Sequence, residues 1–583
     1  MLAGRRRKVV AGVVVVVVAW MGVAAWLLRD AGHHVEAGRR VLDEAREGAT
    51  PASLLDPATE AELVEADDHF DAARDRLRHP FVAPLRVVPV VGRHVRAADA
   101  VVATAHDATA VATDGVAELR VLADRPVETG PQRVARLDEL ADLMGRTDAG
   151  LAELDPGDPD ALITPLSEAI DDLRQQRDDN RRTLERAESA TRTLADVLRG
   201  PETFLLLGAN NGEMRAGSGM FLSATTIRFA DGHVALDDVR PTQELVLPAG
   251  TVAAGSMLAT NWPWLDPARD FRNLALSADF PQSAELAATM WEAVPGGEPV
   301  AGVIAVDVDA LRGLLRVVGP VEVDGVRYTA DTVRGELLRE QYARYGDDRD
   351  ERRDRLGEVA RAVFDRFEAG DWELDAMATA ITEAVQGRHL LVWSADAAHQ
   401  DAWAAVGAGG RLTEDTVAVS LLNRGANKLD SYVDTDLTVE AEPFEGGATR
   451  LVLRYRITND APDGGPRYVV GPNIDGLAEG EYRGIVVVNL PGAAQRPTID
   501  GVRQTLVGVD GGPTVVLAGE VTLPRGATTE VVVEAVLPRG MRQVTLEASA
   551  RIPRTRLHLG DREPEVDRRR TVVLADLAAP SER

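Results

Sequence analysis

Cysteine is absent from the 583 residues, which excludes a disulfide framework, a thiolate metal site and a cysteine nucleophile. A basic surplus is absent too. The 65 Lys and Arg side chains face 93 Asp and Glu, for a formal net charge of −28. General nucleic-acid binding is thereby excluded, because cationic groups would have to displace counterions along a phosphate backbone. Lysine is nearly missing, with Lys8 and Lys428 alone. The dominance of Arg, beside abundant Ala, Gly and Val, reflects codon composition more than chemistry. Long apolar runs are lacking everywhere but near the N-terminus. What remains is an ordinary globular balance, 45% hydrophobic and 27% charged, which rules out a wholly disordered chain. The length predicts roughly three to five domains.

The one long apolar run is Val9–Leu28, which follows Arg5-Arg6-Arg7-Lys8. Twenty helical residues rise about 30 Å, the thickness of a bilayer core. Trp20 and Trp26 lie toward its far end, where amphipathic rings favour an interface. The basic cluster predicts a cytoplasmic tail at 1–8, a transmembrane helix at 9–28 and an extracytoplasmic remainder, hence a single-pass protein of the cell membrane. A cleaved signal peptide, with Val23-Ala24-Ala25 as the processing site, is the alternative.

Residues 29–199 read as an extracytoplasmic helical region, with helices near 36–47, 58–78, 93–123, 131–148 and 160–198 separated by prolines. The charged stretch Asp171 to Arg182 is either a solvated helix face or a stalk contact with a partner. Phe81 to Gly92, apolar and proline-rich, is either a packed loop or a segment dipping into a membrane surface. From Pro201 the composition changes. Strands are expected at 203–208, 220–229, 233–239, 300–306 and 315–323, and helices at 282–293, 308–314, 330–344 and 351–368, with a further helix and strand between Leu374 and Val392. This alternation over 200–400 suggests an α/β domain. Over 416–583 the period drops to two, in runs such as 417–421, 437–441, 451–457, 482–488, 514–518, 529–534 and 544–548, and short strands between Gly and Pro turns read as a β-sandwich. The expected architecture is therefore multidomain: transmembrane helix, helical bundle or stalk, central α/β domain and C-terminal β-sandwich.

Three stretches could carry chemistry. Gly208 to Gly219 follows a strand and is rich in Gly and Asn. Its backbone could cradle an anion, with Arg215 adding a two-pronged contact to phosphate. It lacks the Gly-Lys-Ser/Thr of a P-loop and the spacing of a dinucleotide fingerprint. Arg344 to Arg355 is dense in arginine; Arg352 and Arg355 are three apart and share a helix face near an N-terminus, which also favours an anion. A self-paired, solvated charge run is the plainer reading. The third stretch, Ala268 to Asn273 with Asp279-Phe280-Pro281, follows Trp262 and Trp264 and is either a sugar or lipid contact or a packed loop. A Ser-His-Asp hydrolase is a poor third reading, because the nucleophile elbow is incomplete: Ala216-Gly217-Ser218-Gly219-Met220 has no closing glycine.

Asn210-Asn211, Glu213, Arg215, Gly217 and Gly219, with Asp279-Phe280-Pro281, resemble the signature of domain of unknown function 4012, a family of Gram-positive and actinobacterial envelope proteins. The resemblance spans roughly Pro201–Leu391. More distantly, Leu205-Leu206-Leu207-Gly208, Arg215, the Val306–Leu311 run leading to Gly319–Val323, and Arg352 with Arg355 resemble the pattern of LytR-CpsA-Psr phosphotransferases, with Arg240 and Arg272 as two further basic positions. That likeness implies arginines holding a polyprenyl pyrophosphate head group, aided by carboxylates and Mg²⁺. Gly217-Ser218-Gly219 stands where that family has an acidic residue, and its second Arg-Asp pair is reduced to Arg240-Pro241-Thr242. Asp279 and Asp307 are the substitute metal ligands. Two functions stay open. One is a non-catalytic accessory protein of envelope polymer assembly, binding a phosphorylated, polyprenyl-linked ligand through Asn210, Asn211, Arg215, Arg240, Arg272, Arg352 and Arg355. The other is a Mg²⁺-dependent phosphotransferase that attaches lipid-linked glycan to the cell wall. The partners expected are the membrane, a polyprenyl-linked glycan or other envelope polymer, and envelope proteins, with no nucleic acid.

Overall fold

A computed structural model describes residues 2–47, 53–125, 129–345, 355–370, 372–560 and 562–577, with side chains from Val18 onward except at Glu47, Ser256 and Leu356. The chain divides into two compact units, Met1–Val127 with Ala135–Ala195, and Glu128–Val134 with Asp196–Arg583.

The first unit is helical: α1 (Leu2–Glu47), α2 (Pro57–Arg78), α3 (Val91–Ala123) and most of α4 (Gly130–Ala152) and α5 (Thr164–Arg199). Asp56 caps α2 through its carboxylate, and Pro57 takes the first helical position, where no N–H is needed. Ala31, Ala73, Leu77 and Val102 pack as one core between α1, α2 and α3. The charged middle of α5 is engaged within the unit: Arg181 pairs with Asp148 at 2.9 Å, and Arg177 donates to the Leu154 carbonyl at 2.7 Å.

The expected membrane span is corrected here. Among the described residues, no helix is long and apolar enough to cross a membrane. The side chains of Val9–Val17 lie outside the described residues. From Val18 onward, the stretch is the middle of a much longer helix that is two-sided. Ala24, Leu27 and Ala31 are buried, whereas Val18, Met21, Val23 and Trp26 are exposed. Leu27 packs with Val82 and Val95, and Trp20 donates its indole N–H to the Phe81 carbonyl at 3.0 Å. Apolar length alone did not distinguish such a bundle helix from a span. The proline-rich segment forms a short 3₁₀ turn, Ala83–Val87, with Val82 buried beneath it and Phe81, Val87 and Val90 exposed.

The second unit holds a mixed α/β region and a β-rich region. In the first, β1 (Glu202–Met214), β2 (Gly219–Ala230), β3 (His233–Leu236), β4 (Arg240–Pro241), β5 (Gly302–Asp307) and β8 (Leu390–Ser394) form one sheet in the order β3-β2-β1-β5-β8, with β4 on β2; β6 (Val321–Val323) and β7 (Val326–Tyr328) pair separately. Only β1 and β5 run parallel within the larger sheet. The strand expected over 315–323 begins only at Val321, because Asp307 caps a helix Val308–Val318 through the amides of Asp309 and Ala310. Leu311, Leu315 and Val318 are buried on one face of that helix, so packing overrides the β-branched propensity of Val317-Val318.

The β-rich region comprises β9 (Thr416–Asn423), β10 (Val433–Pro443), β11 (Thr449–Asn459), β12 (Tyr482–Pro491), β13 (Gln495–Asp500), β14 (Arg503–Asp510), β15 (Thr514–Leu523), β16 (Thr528–Leu537), β17 (Gln543–Leu546), β18 (Arg556–Leu559), β19 (Glu565–Val566) and β20 (Arg570–Val573). They form two six-stranded sheets, β13-β16-β11-β10-β18-β19 and β14-β15-β12-β9-β17-β20. Val419, Val486 and Leu517 of one sheet share a core with Val439, Leu453 and Val533 of the other. The alternate residues Leu422, Ile485, Val487, Val516 and Ala518 face the opposite way, into a core with Phe221, Trp262, Phe271 and Phe280 of the α/β region. One sheet is thus apolar on both faces, which is why β9, β12 and β15 read as near-continuous apolar runs.

Candidate functional site

The Gly- and Asn-rich stretch sits at the junction of the two regions. At the end of β1 the register against β2 shifts between Asn210 and Met214, so the signature residues leave the ladder. All of 210–219 is buried. The glycines answer close backbone approach: a Cβ on Gly217 would lie 2.4 Å from the Ser277 carbonyl oxygen, and one on Gly219 2.6 Å from the Asn210 carbonyl. Gly217 N–H donates to Ala275 and Arg215 N–H to Ser218, closing the loop on protein atoms.

The side chains of this stretch reach outward into the β-rich region. Glu213 Oε2 is 2.8 Å from Lys428 Nζ, and both side chains are buried. Burial alone would lower the lysine, but Glu213, with Tyr342 and Tyr468, holds it above its ordinary value. The ammonium also lies 5.6 and 5.5 Å from the ring centroids of Tyr342 and Tyr468. Met214 N–H donates to Asp430 at 2.9 Å; that carboxylate also accepts from Tyr482 O–H at 2.9 Å, Asn423 at 2.8 Å and the fully buried Arg551 at 3.0 Å. Asn211 donates to Asp307 at 2.7 Å and to the Ala550 carbonyl at 2.8 Å.

Asp307 carries the network to a second charge cluster. One oxygen caps the helix, and the other accepts from Asn211 and from His389 Nδ1 at 2.7 Å. His389 Nε2 lies 3.3 Å from Asp309, which also pairs with Arg334 and, at 3.1 Å, with Arg554. Burial would lower the imidazole pKa, but the flanking carboxylates outweigh it and raise it. Likewise burial would raise Asp309, yet His389, Arg334 and Arg554 hold it below the usual carboxylate range. Both ring nitrogens face carboxylates, so neither is left open to a substrate as a base.

The residues expected at a phosphate site go to different places. Arg215 is buried against backbone carbonyls of Arg272, Met214 and Asn423, at 3.2, 3.0 and 3.3 Å, and burial lowers its pKa. Arg272 itself is held by Asp270. Arg240 donates to the Pro295 carbonyl and lies over the Trp291 ring, 5.5 Å from its centroid. Arg355 opens the helix Arg355–Glu368, buried, with Asp324 at 2.6 Å and Tyr345 at 3.2 Å. Arg352 lies outside the described residues. Asn210 donates to Tyr342 O–H at 3.3 Å and accepts from Gly212. Asn211 and Asp307 therefore share one network, Asn210 bonds beside it to Tyr342 and the Gly212 amide, and Arg215, Arg240 and Arg355 each have partners of their own. Asp279 accepts from Leu412 N–H and Gln282, and burial raises its pKa. Its neighbour is Asp510, not Asp307. The two proposed metal ligands thus have different partners, and the oxygens of Asp307 are engaged by donors, so this pair does not fit Mg²⁺, which asks for open carboxylate positions. Among the described residues, no group of three or more His, Asp and Glu is arranged to hold a metal ion. Lys428, Asp430, Arg551, His389 and Asp309 were not singled out from sequence. The one available signal was Lys428, a lone lysine amid arginines.

A mixed α/β sheet welded by buried ion pairs to a doubly packed β-sheet defines the class: a two-region body with a polar junction. A family model described as "Protein of unknown function (DUF4012)" matches residues 199–342, which contain the whole Gly- and Asn-rich signature. No curated protein and no solved structure matches the chain.

Proposed function

We propose that this chain is a non-catalytic accessory protein of envelope polymer assembly, in which the signature stretch builds a rigid body instead of an active centre. The observation that carries this reading is that Asn211, Glu213 and the Met214 amide all bond to groups of the β-rich region or to the helix-capping Asp307. Groups able to act as acid, base or oxyanion partner in phosphoryl transfer need reach to a substrate. Here Asp307, Asp309, His389 and Arg215 are buried, with protein partners on each. The phosphotransferase reading would need these groups to open to a lipid-linked substrate. The test is incubation of the full chain with polyprenyl-pyrophosphate-linked glycan, an acceptor glycan and Mg²⁺, scoring release of polyprenyl phosphate. No release above a protein-free control is expected. Release that disappears in His389→Gln would overturn the reading in favour of catalysis.

A further inference from the structure

Strand β20 is the outer edge of the sheet β14-β15-β12-β9-β17-β20. A recess of about 320 Å³ opens beside it, lined by Arg562, Arg568, Arg569 and Arg570 with Gln386 and Asp576. Four guanidiniums around one hollow reverse the balance of a chain whose net charge is −28. Their carboxylate partners do not cancel them. Arg562 reaches Asp576 at 3.2 Å; Arg568, at 3.7 Å, and Arg570 share Glu565; Arg569, at 3.0 Å, shares Glu547 with Arg388 at 3.4 Å. The four lining guanidiniums thus share three carboxylates, one of which, Glu547, is also claimed by Arg388. Arg570 Nε and Nη2 are buried with no hydrogen-bond partner, and unmet donors of this kind carry a desolvation penalty. The adjoining Asp561 lies outside the described residues.

The backbone sets Arg569 and Arg570 in place. β20 pairs with β17 from Gln543↔Val573 to Leu546↔Arg570, and Arg569 N–H donates to the Gln386 carbonyl at 2.8 Å. Gly407 leaves room for Arg569, whose Nη1 lies 2.4 Å from where a Cβ would stand. The strand is therefore held by main-chain bonds. Arg562 and Arg568 remain 57% and 54% exposed and are free to meet a ligand.

We propose that this recess binds a phosphate-bearing ligand. A phosphate group suits a lining of four Arg and one Asp, its oxygens suit guanidinium forks, and the volume accepts a phosphate or pyrophosphate with part of the attached group. The site is distinct from the buried junction and does not depend on whether the chain is catalytic. The ligand is either the headgroup of a lipid or a soluble phosphate ester, and two probes separate these sources. Calorimetric titration of the full chain with inorganic pyrophosphate should give one saturable site, weakened by added salt. In the double variant Arg562→Gln/Arg568→Gln, affinity should fall at least about tenfold with an unchanged melting temperature, and Arg562→Lys/Arg568→Lys should keep part of it. Co-sedimentation with phosphatidic acid vesicles, against phosphatidylcholine vesicles, is the second arm. Binding to vesicles lost in the Gln variant assigns a lipid headgroup, and pyrophosphate binding alone assigns a soluble ester. Failure of both probes on the wild-type chain, or equal affinity in the Gln variant, would overturn the proposal.

Discussion

Replacing Lys428 by Met tests the junction most directly. Its ammonium is fully buried, 2.8 Å from Glu213 and within reach of two tyrosine faces. The substitution fills nearly the same volume but strands the Glu213 carboxylate in a site sealed by Tyr342 and the β-rich region. Breaking a buried pair from one side costs about 3–5 kcal/mol, because the remaining charge loses its partner without regaining water. Removing both charges is a different perturbation. Glu213→Leu/Lys428→Met leaves no stranded ion and should lie within about 1–2 kcal/mol of the native chain, giving a coupling energy of at least about 2 kcal/mol. The assay is equilibrium urea unfolding followed by tryptophan fluorescence. Six of the eight tryptophans, Trp262, Trp264, Trp291, Trp372, Trp393 and Trp403, lie in the α/β region and none in the β-rich one. Far-UV circular dichroism reports both, so coincident transitions would show that they unfold together. A loss under about 1 kcal/mol for Lys428→Met, or additivity in the double variant, would refute the assignment of this pair as a buried, mutually dependent weld.

Two further predictions concern the same junction. Gly217→Ala should destabilise the chain by about 1–3 kcal/mol or more, since its Cβ would press on a backbone carbonyl, while Gly255→Ala, with open space at that position, should be near neutral; equal effects would mean that the loop has slack. His389 has a raised pKa in the fold, so the native state binds its proton more tightly than the unfolded chain. Its contribution is complete below the unfolded value of about 6.5 and is lost as pH rises through the higher folded value. Urea midpoints from pH 6 to 9 should therefore fall more steeply for the native chain than for His389→Asn, and parallel profiles would contradict the clamped imidazolium.

Local rules sufficed where one physical signal dominates. Period two over 416–583 marks strands because alternate residues must face opposite sides of a pleat, and β9, β10, β11, β12, β15, β16 and β17 lie where that alternation predicts. Proline and acidic caps likewise mark helix starts, as at Asp56-Pro57. The helix over 315–318 was hidden, because Val317-Val318 favours a strand locally and only the Asp307 cap and the buried face of Leu311, Leu315 and Val318 reverse it. The apolar N-terminal stretch was misread as a span for a related reason: composition records how greasy a helix is, not which of its sides meets protein.

Sequence alone determined the chain's charge economy, its lack of thiol chemistry and the position of its signature stretch, since these depend on residue identity and short-range spacing. Tertiary structure decided which groups the signature residues bond to. Glu213 and Lys428 are 215 residues apart, and Asn211 and Ala550 are 339 apart, and no local pattern encodes which distant groups will share a dry interior. The same holds for the arginines. Arg215, Arg240, Arg272 and Arg355 look alike on paper, but folding surrounds each with its own acceptors, whereas Arg562, Arg568, Arg569 and Arg570 line a single hollow, Arg570 being on the strand that pairs with β17.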